Sequence, residues 1–376
     1  MKRGARVCAS PAGTGGELSN ARAALTRWLL EGPAQLTSGP HAGAVAGMLE
    51  ADGRAAYAYP EITGYYLQWL AWRAAIGDVV PPLARRAAAA QGWIAAWLAS
   101  RDPPPTRIPL VESDTDWRND AVFFFDVAMV LRGVGSAARH ALIIPDPVVV
   151  AGLSRELARM VGSDGAYVAC VPRAGTPPLP DRWSTRRGGF LAKAAAGVIT
   201  AARVLPGIPG AVVAAADATF RARIEAALEA PHDEAHPLLY TFEGVLGLPR
   251  HPRFPSALPA IAAQFDALVG EVRATGWISE SRTEPARGPQ RLDVAAQAVR
   301  IGRLLAVHLR PRSSDRVALA QLQRQLVESV GSGGAIPFAI DQRPPRANVW
   351  AAMFADQALG MHGALSWPAL RDPLLV

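Results

Sequence analysis

The sequence predicts an all-α fold, an (α/α)6 toroid of six helical hairpins with short β-ribbon loops at one end. Three observations predict it. Six times, a Gly/Asp/Pro-rich loop feeds a long helical segment that is followed by a second one. The first helices of these pairs start near residues 61, 119, 186, 236, 291 and 347. The repeat of roughly 50 to 60 residues fits two helices and two loops at about 1.5 Å of rise per helical residue. The two helix sets also differ in kind. Those after the glycine loops mix Tyr, Trp and carboxylates with apolar residues, whereas their partners are Ala-, Leu- and Arg-rich. The mixed set suits an inner ring around a cavity; the amphipathic set suits an outer ring wetted on one face.

In chain order, residues 19–30 supply the outer helix that precedes the first loop. Asp52 and Gly53 turn the chain toward the first inner helix, 61–70. Residues 113–117 lead into the second inner helix, 119–133, and a Pro-rich loop leads into the third, 184–204. The fourth begins near His236, the fifth spans 291–305 and the sixth 347–361. The outer partners are 82–100, 147–161, 209–230, 255–275 and 314–330. Several open with Pro in the first turn, where the missing N–H does no harm. That makes twelve helices, with short ribbons expected near Tyr167, Ile278 and Ile336. Residues 1–16, rich in Ser, Pro, Thr and Gly after the early cations, are expected to form a flexible N-terminal segment. Residues 17–376 are then a single toroid domain.

Composition excludes several functions. With 376 residues, half of them hydrophobic, the chain can bury a large core and is not of disordered composition. Cys8 and Cys170 are too few for a disulfide framework or a Cys-rich zinc site. The net charge of +7 comes from arginines scattered along the chain, Lys2 and Lys193 being the two lysines. A nucleic-acid binder clusters its cations on one element with aromatics between them, so no nucleic-acid partner is expected. No apolar signal core follows the early cations, and the most apolar stretch, 191–220, is broken by Lys193, Arg203, Pro206 and Pro209. A cytoplasmic protein with no membrane span is expected.

The segments Tyr59-Pro-Glu-Ile-Thr-Gly-Tyr65, Phe125-Asp-Val-Ala-Met-Val-Leu-Arg-Gly133 and Gly334-Ala-Ile-Pro337, the last followed by 348–359, resemble six-hairpin glycosidase-like proteins. The resemblance runs from about the fifties to the end and is nearest to bacterial members associated with polysaccharide biosynthesis. It implies the toroid fold and chemistry on a saccharide. That toroid hosts hydrolases, lyases, epimerases and proteins of no assigned activity. One departure stands out: the family-like Phe-Asp-Thr-Gly reads Phe125-Asp-Val-Ala here, losing a hydroxyl and a flexible backbone point.

Three carboxylates are candidates for catalysis. Glu61 follows Pro60 in the first turn of an otherwise apolar helix, beside Tyr59, Tyr65 and Trp69. There an acid either stabilises the helix dipole or, desolvated at a cavity mouth, serves as a general acid. Asp126 lies among Phe123, Phe124, Phe125 and Val127, so it needs a partner or a function. Glu243 lies on the fourth inner helix. Asp116 and Arg118 flank Trp117, a flat ring beside charges that suits a sugar platform. Their cluster, with Asp114 and Asp120, is not a DDxxD motif and also reads as a capped helix start. His236 and Tyr240 open the fourth inner helix, and Trp277 and Trp350 complete the expected substrate-binding set with Tyr59 and Tyr65. His232 and His236 are four apart, but Pro231 and Pro237 bracket them, so no metal site is expected. There is no phosphate loop, dinucleotide fingerprint or nucleophile elbow, and therefore no sign of a cofactor.

These readings converge on a carbohydrate-active enzyme, of hydrolase, lyase or epimerase type, working on a saccharide in a central cleft by carboxylate acid/base chemistry. A cyclase-like enzyme would instead present a mainly apolar cavity. A non-catalytic glycan- or protein-binding toroid would bring no two ionisable side chains together in it.

Overall fold

The computed structural model describes residues 14–111, 116–229, 232–284, 288–309 and 313–361. Among them are twelve α-helices: α1 (Thr14–Glu31), α2 (Pro60–Ala75), α3 (Val80–Ser100), α4 (Phe124–Arg139), α5 (Pro147–Ala158), α6 (Leu191–Ala202), α7 (Gly210–Glu229), α8 (Ala235–Leu246), α9 (Phe254–Thr275), α10 (Leu292–His308), α11 (Ser313–Ser329) and α12 (Val349–Gly360). Pro stands at the first or second position of α2, α3, α5 and α9, which fixes φ for the helix without sacrificing a backbone hydrogen bond.

The even-numbered helices form the inner ring. α2 packs on α4, α4 on α6, α6 on α8, α8 on α10, α10 on α12, and α12 returns to α2. Each of α2, α4, α6, α8 and α10 pairs outward with the helix that follows it, and α1 pairs with α12 to complete the sixth hairpin. Inner helices are buried on nearly every face because they are covered by the outer ring on one side and each other elsewhere. Every residue of α8 is buried. The outer helices are amphipathic, burying a single stripe such as Leu83, Ala87, Ala90, Ile94 and Trp97 of α3.

The tightest crossing joins α2 to α4. A Cβ on Gly64 would come within 2.6 Å of the Met129 carbonyl oxygen, and one on Gly133 within 2.3 Å of the Gly64 oxygen. Only glycine permits the two backbones to approach so closely. Glu61 and Asp126 sit about one turn above this crossing and are drawn together by it.

Short strands cluster at the end where the inner helices start. β1 (Ala46–Leu49), β2 (Ala55–Ala58), β3 (Ile108–Pro109) and β6 (Ala347–Asn348) form an antiparallel sheet in the order β3-β2-β1-β6. β4 (Ala121–Phe123) pairs with β5 (Cys170–Pro172).

Several expectations need correction. The second inner helix starts at Phe124 instead of 119, because residues 117–120 make a single 3-10 turn capped by Asp116 and 121–123 are strand. The third starts at Leu191 instead of 184, since Gly188 and Gly189 follow a 3-10 turn at Trp183–Thr185. The ribbons lie mainly elsewhere. Tyr167 makes one isolated bridge to Val161, Ser281 one to Glu234, and Pro337 one to Ala347. α1 begins at Thr14; the rest of the expected N-terminal segment, residues 1–13, lies outside the described residues, as do Asp114 and the last fifteen positions of the chain. No helix among the described residues is long and apolar enough to cross a membrane.

Candidate active site

A cleft of about 490 Å³ opens among the N-terminal ends of the inner helices. Its residues come mainly from the first turns of those helices and from the loops and strands just before them. Glu61 is the second residue of α2, Asp126 the third of α4, His236 the second of α8, and Trp350 the second of α12. All four line the cleft, together with Tyr59, Trp117, Arg118 and Tyr240.

On one wall Tyr59, Glu61 and Asp126 form a cluster. The Tyr59 hydroxyl donates to Asp126 Oδ2 at 3.2 Å, and Glu61 lines the same wall beside them. Burial pushes the Glu61 pKa up, and burial together with the nearby Glu61 charge pushes Asp126 well up. The charge of one carboxylate thus opposes ionisation of the other.

The facing wall is built differently. His236 Nδ1 meets Gln297 Oε1 at 2.6 Å and lies 3.6 Å from Asp293 Oδ2. With two acceptors beside it, Nδ1 carries the proton and Nε2 is left bare on the other side of the ring. Burial, with Arg291 adding to it, drives the His236 pKa down to about 3, so the imidazole is neutral near pH 7. Asp293 is itself held in place by Arg291, which donates from Nε at 3.0 Å and from Nη2 at 2.7 Å, and by Trp350 Nε1 at 3.1 Å. Burial opposes ionisation of Asp293, but Arg291 overrides it and holds the pKa down to about 2. Asp293, Gln297 and Arg291 thus orient an imidazole that the sequence singled out alone.

Flat rings complete the walls. Phe125 and Tyr240 approach to 4.9 Å between centroids, Trp183 lies 6.0 Å from His236, and Trp117 packs edge-on against Phe123. Trp117 is covered by the Arg118 guanidinium at 4.7 Å. Asp116 does not line the cleft; it bridges Arg107 and Arg118 behind it, at 3.1 Å to each.

Besides Asp116, three expected site residues lie elsewhere. Glu243 is fully buried two turns below His236, where it accepts from Lys193 Nζ at 2.7 Å and Arg300 Nη2 at 2.5 Å. Tyr65 is buried under the floor, packed edge-on against Phe354. Trp277 is buried away from the cleft lining. The Lys193 ammonium sits over the rings of Tyr240 at 4.4 Å, Tyr65 at 4.6 Å and Phe354 at 5.3 Å, so residues of α2, α6, α8 and α12 meet on the toroid axis and close its floor. Burial lowers the Lys193 pKa to about 7 despite Glu243.

No group of three or more His, Cys, Asp or Glu among the described residues could hold a metal ion.

No protein-family model matches this chain, and no curated protein matches it significantly. Solved structures do match in fold. A D-mannose isomerase superposes with a TM-score of 0.67 at 11% identity, covering 94% of this chain and 100% of its own. A cellobiose 2-epimerase from Spirochaeta thermophila DSM 6192 gives 0.63 at 14% identity, over 93% and 98% of the two chains. An unsaturated glucuronyl hydrolase specific for heparin gives 0.61 at 13%, over 92% and 96%. At these identities the likeness is one of fold, and it is to six-hairpin toroids of the kind the sequence predicts.

Proposed function

We propose that this protein is a carbohydrate-active enzyme that transfers protons to and from a saccharide held between the Tyr59, Glu61 and Asp126 cluster and His236. The observation that carries the reading is the placing of Glu61 and of Asp126, the latter bonded by the Tyr59 hydroxyl, on one wall of an aromatic-walled cleft, with His236 on the other. Two-carboxylate glycoside hydrolysis keeps its pair about 5 Å or more apart, with room for the sugar or a water between them. Glu61 and Asp126 lie on one wall, near enough for the Glu61 charge to raise the Asp126 pKa, which supports their acting together as a single proton donor. Across the ring the bare Nε2 of a neutral His236 can accept a proton. One acid facing one base suits a lyase- or epimerase-type reaction, in which a C–H proton leaves to one side and a proton is returned from the other.

Other features support a sugar as substrate. Arg107, Arg118, Arg182 and Arg291 alternate with Glu61, Asp126, Glu234 and Glu280 around the cleft, which suits a polar ligand and disfavours the apolar one of a cyclase. Rings with polar tips suit the faces of a pyranose. The structural neighbours named as isomerase, epimerase and glucuronyl hydrolase are likewise sugar enzymes. The resemblance to bacterial proteins of polysaccharide biosynthesis supports a saccharide drawn from such a polymer.

The test is a saccharide screen in deuterated water, read by proton NMR and by ultraviolet absorbance of unsaturated products. Deuterium entering a sugar C–H position, or an unsaturated product, is expected from the wild type and not from Glu61→Gln or His236→Gln of unchanged melting temperature. Full turnover by both variants would overturn the acid/base assignment, and a chain that neither binds nor converts any saccharide would overturn the reading itself.

A further inference from the structure

Arg107 is a cation whose placement the acid/base reading does not use. It lies just before β3, with no helix to hold it, yet it is fixed from four sides. The Asn119 carboxamide clamps its backbone, accepting from the Arg107 N–H at 2.8 Å and donating to its carbonyl at 2.9 Å. The guanidinium lies against the Tyr57 ring at 4.5 Å and the Tyr59 ring at 4.9 Å. Nη1 donates to Asp116 Oδ2 at 3.1 Å. The Tyr57 seat is itself built into the sheet: the β1 register is irregular between Ala46 and Met48, and a Cβ on Gly47 would meet the Tyr57 ring at 2.2 Å.

This fixed guanidinium is only partly satisfied. No described residue accepts a hydrogen bond from Nε, which is buried, and none accepts from Nη2. Asp116 divides its single charge between Arg107 and Arg118. A mostly buried guanidinium kept rigid with donors unspent, on the lining of a cleft, is what an anionic ligand group requires: the desolvation is already incurred and no rotamer entropy is lost on binding.

We infer that Arg107 is the anchor for an oxyanion carried by the sugar, so that the saccharide handled here is an acidic one, bearing a carboxylate, sulfate or phosphate. This rests on the saccharide reading above and narrows it. Arg118, half exposed over Trp117 and sharing the same Asp116, flanks the anchor on the mouth side.

The test is isothermal titration of the full chain with disaccharides matched except at one carbon, which carries an alcohol, a carboxylate or a sulfate. The wild type is expected to bind an anionic member about tenfold to a hundredfold more tightly than the neutral one, the range of a charge-assisted hydrogen bond. That preference should weaken as salt is raised. Which anion wins identifies its chemistry. Arg107→Met should erase the preference and leave affinity for the neutral disaccharide; Arg107→Lys should retain part of it. Because Arg107 touches Tyr57, Tyr59 and Asp116, the wild-type comparison stands on its own if a variant misfolds. Equal binding of neutral and anionic members would overturn the inference while sparing the saccharide reading. A preference that survives in well-folded Arg107→Met would overturn it too, and no binding of any member would sink both.

Discussion

Glu61 and His236 stand diametrically opposite each other in the inner ring, each the second residue of its helix, on α2 and α8 with two helices between them on either side. One is a carboxyl whose pKa burial raises; the other is an imidazole kept neutral by burial and by Arg291. A carboxyl and a neutral imidazole thus face each other across the cleft, the pair on which the proposed proton transfer rests.

Glu61→Gln preserves shape and removes the titrating group. Turnover is expected to fall by about 10² to 10⁴, the usual worth of a positioned acid or base. A role confined to the helix dipole would instead cost stability of a few tenths to about 1 kcal/mol and spare the rate. Comparing melting temperature and kcat of the same preparation separates the two.

The two walls give opposite slopes of stability with pH. Asp126 has a raised folded pKa, so its share of stability is full below the ordinary carboxylate value and is lost as pH rises through the raised one. Asp126→Asn is therefore expected to melt higher relative to wild type at pH 8 than at pH 5. His236 has a folded pKa of about 3 against 6.5 when unfolded, so its share is full above 6.5 and lost as pH falls. Its ring nitrogens should keep the NMR shifts of the neutral tautomer at pH 5, and a protonated ring there would refute the assignment.

Glu243→Gln, by contrast, is expected to damage the fold. It removes the carboxylate that fully buried Lys193 and Arg300 both use, and breaking a buried ion pair from one side costs about 3 to 5 kcal/mol. Chemical denaturation measures this. A variant of normal stability and lost turnover would move Glu243 into the catalytic set.

Trp93 and Trp97 stack at 6.4 Å within α3, both nearly buried, and Trp97 Nε1 donates to the Pro105 carbonyl at 2.8 Å. Trp93→Ala should cost about 3 to 5 kcal/mol without altering saccharide binding. Lost binding at unchanged stability would mean that this face of α3 serves a ligand.

The helix plan was legible because proline marks helix starts and the two rings differ in composition. The cleft was legible to one turn's depth. Glu61, His236 and Trp350 fall in first turns whose starts the sequence marks to within two residues, whereas Asp126 does so only because α4 begins at Phe124 and not at 119. Tyr65 lies one turn below Glu61 and Glu243 about two below His236, roughly 10 Å at 1.5 Å per residue, which puts them under the floor. Reading a helix face without its depth could not separate them from the lining. Arg107 carried no signal because it belongs to no periodic segment; pairing of β2 with β3 and the Asn119 clamp bring it to Tyr59. Asp293 was recoverable, since it occupies on α10 the position that Glu61 occupies on α2.

The closed floor carries a topological consequence. Lys193, ringed by Tyr65, Tyr240 and Phe354, blocks the axis, so a polymer cannot be threaded through the ring and must enter and leave by one mouth. Traffic into the cleft is therefore one-sided: whatever binds there departs by the way it came, and nothing passes from one face of the ring to the other.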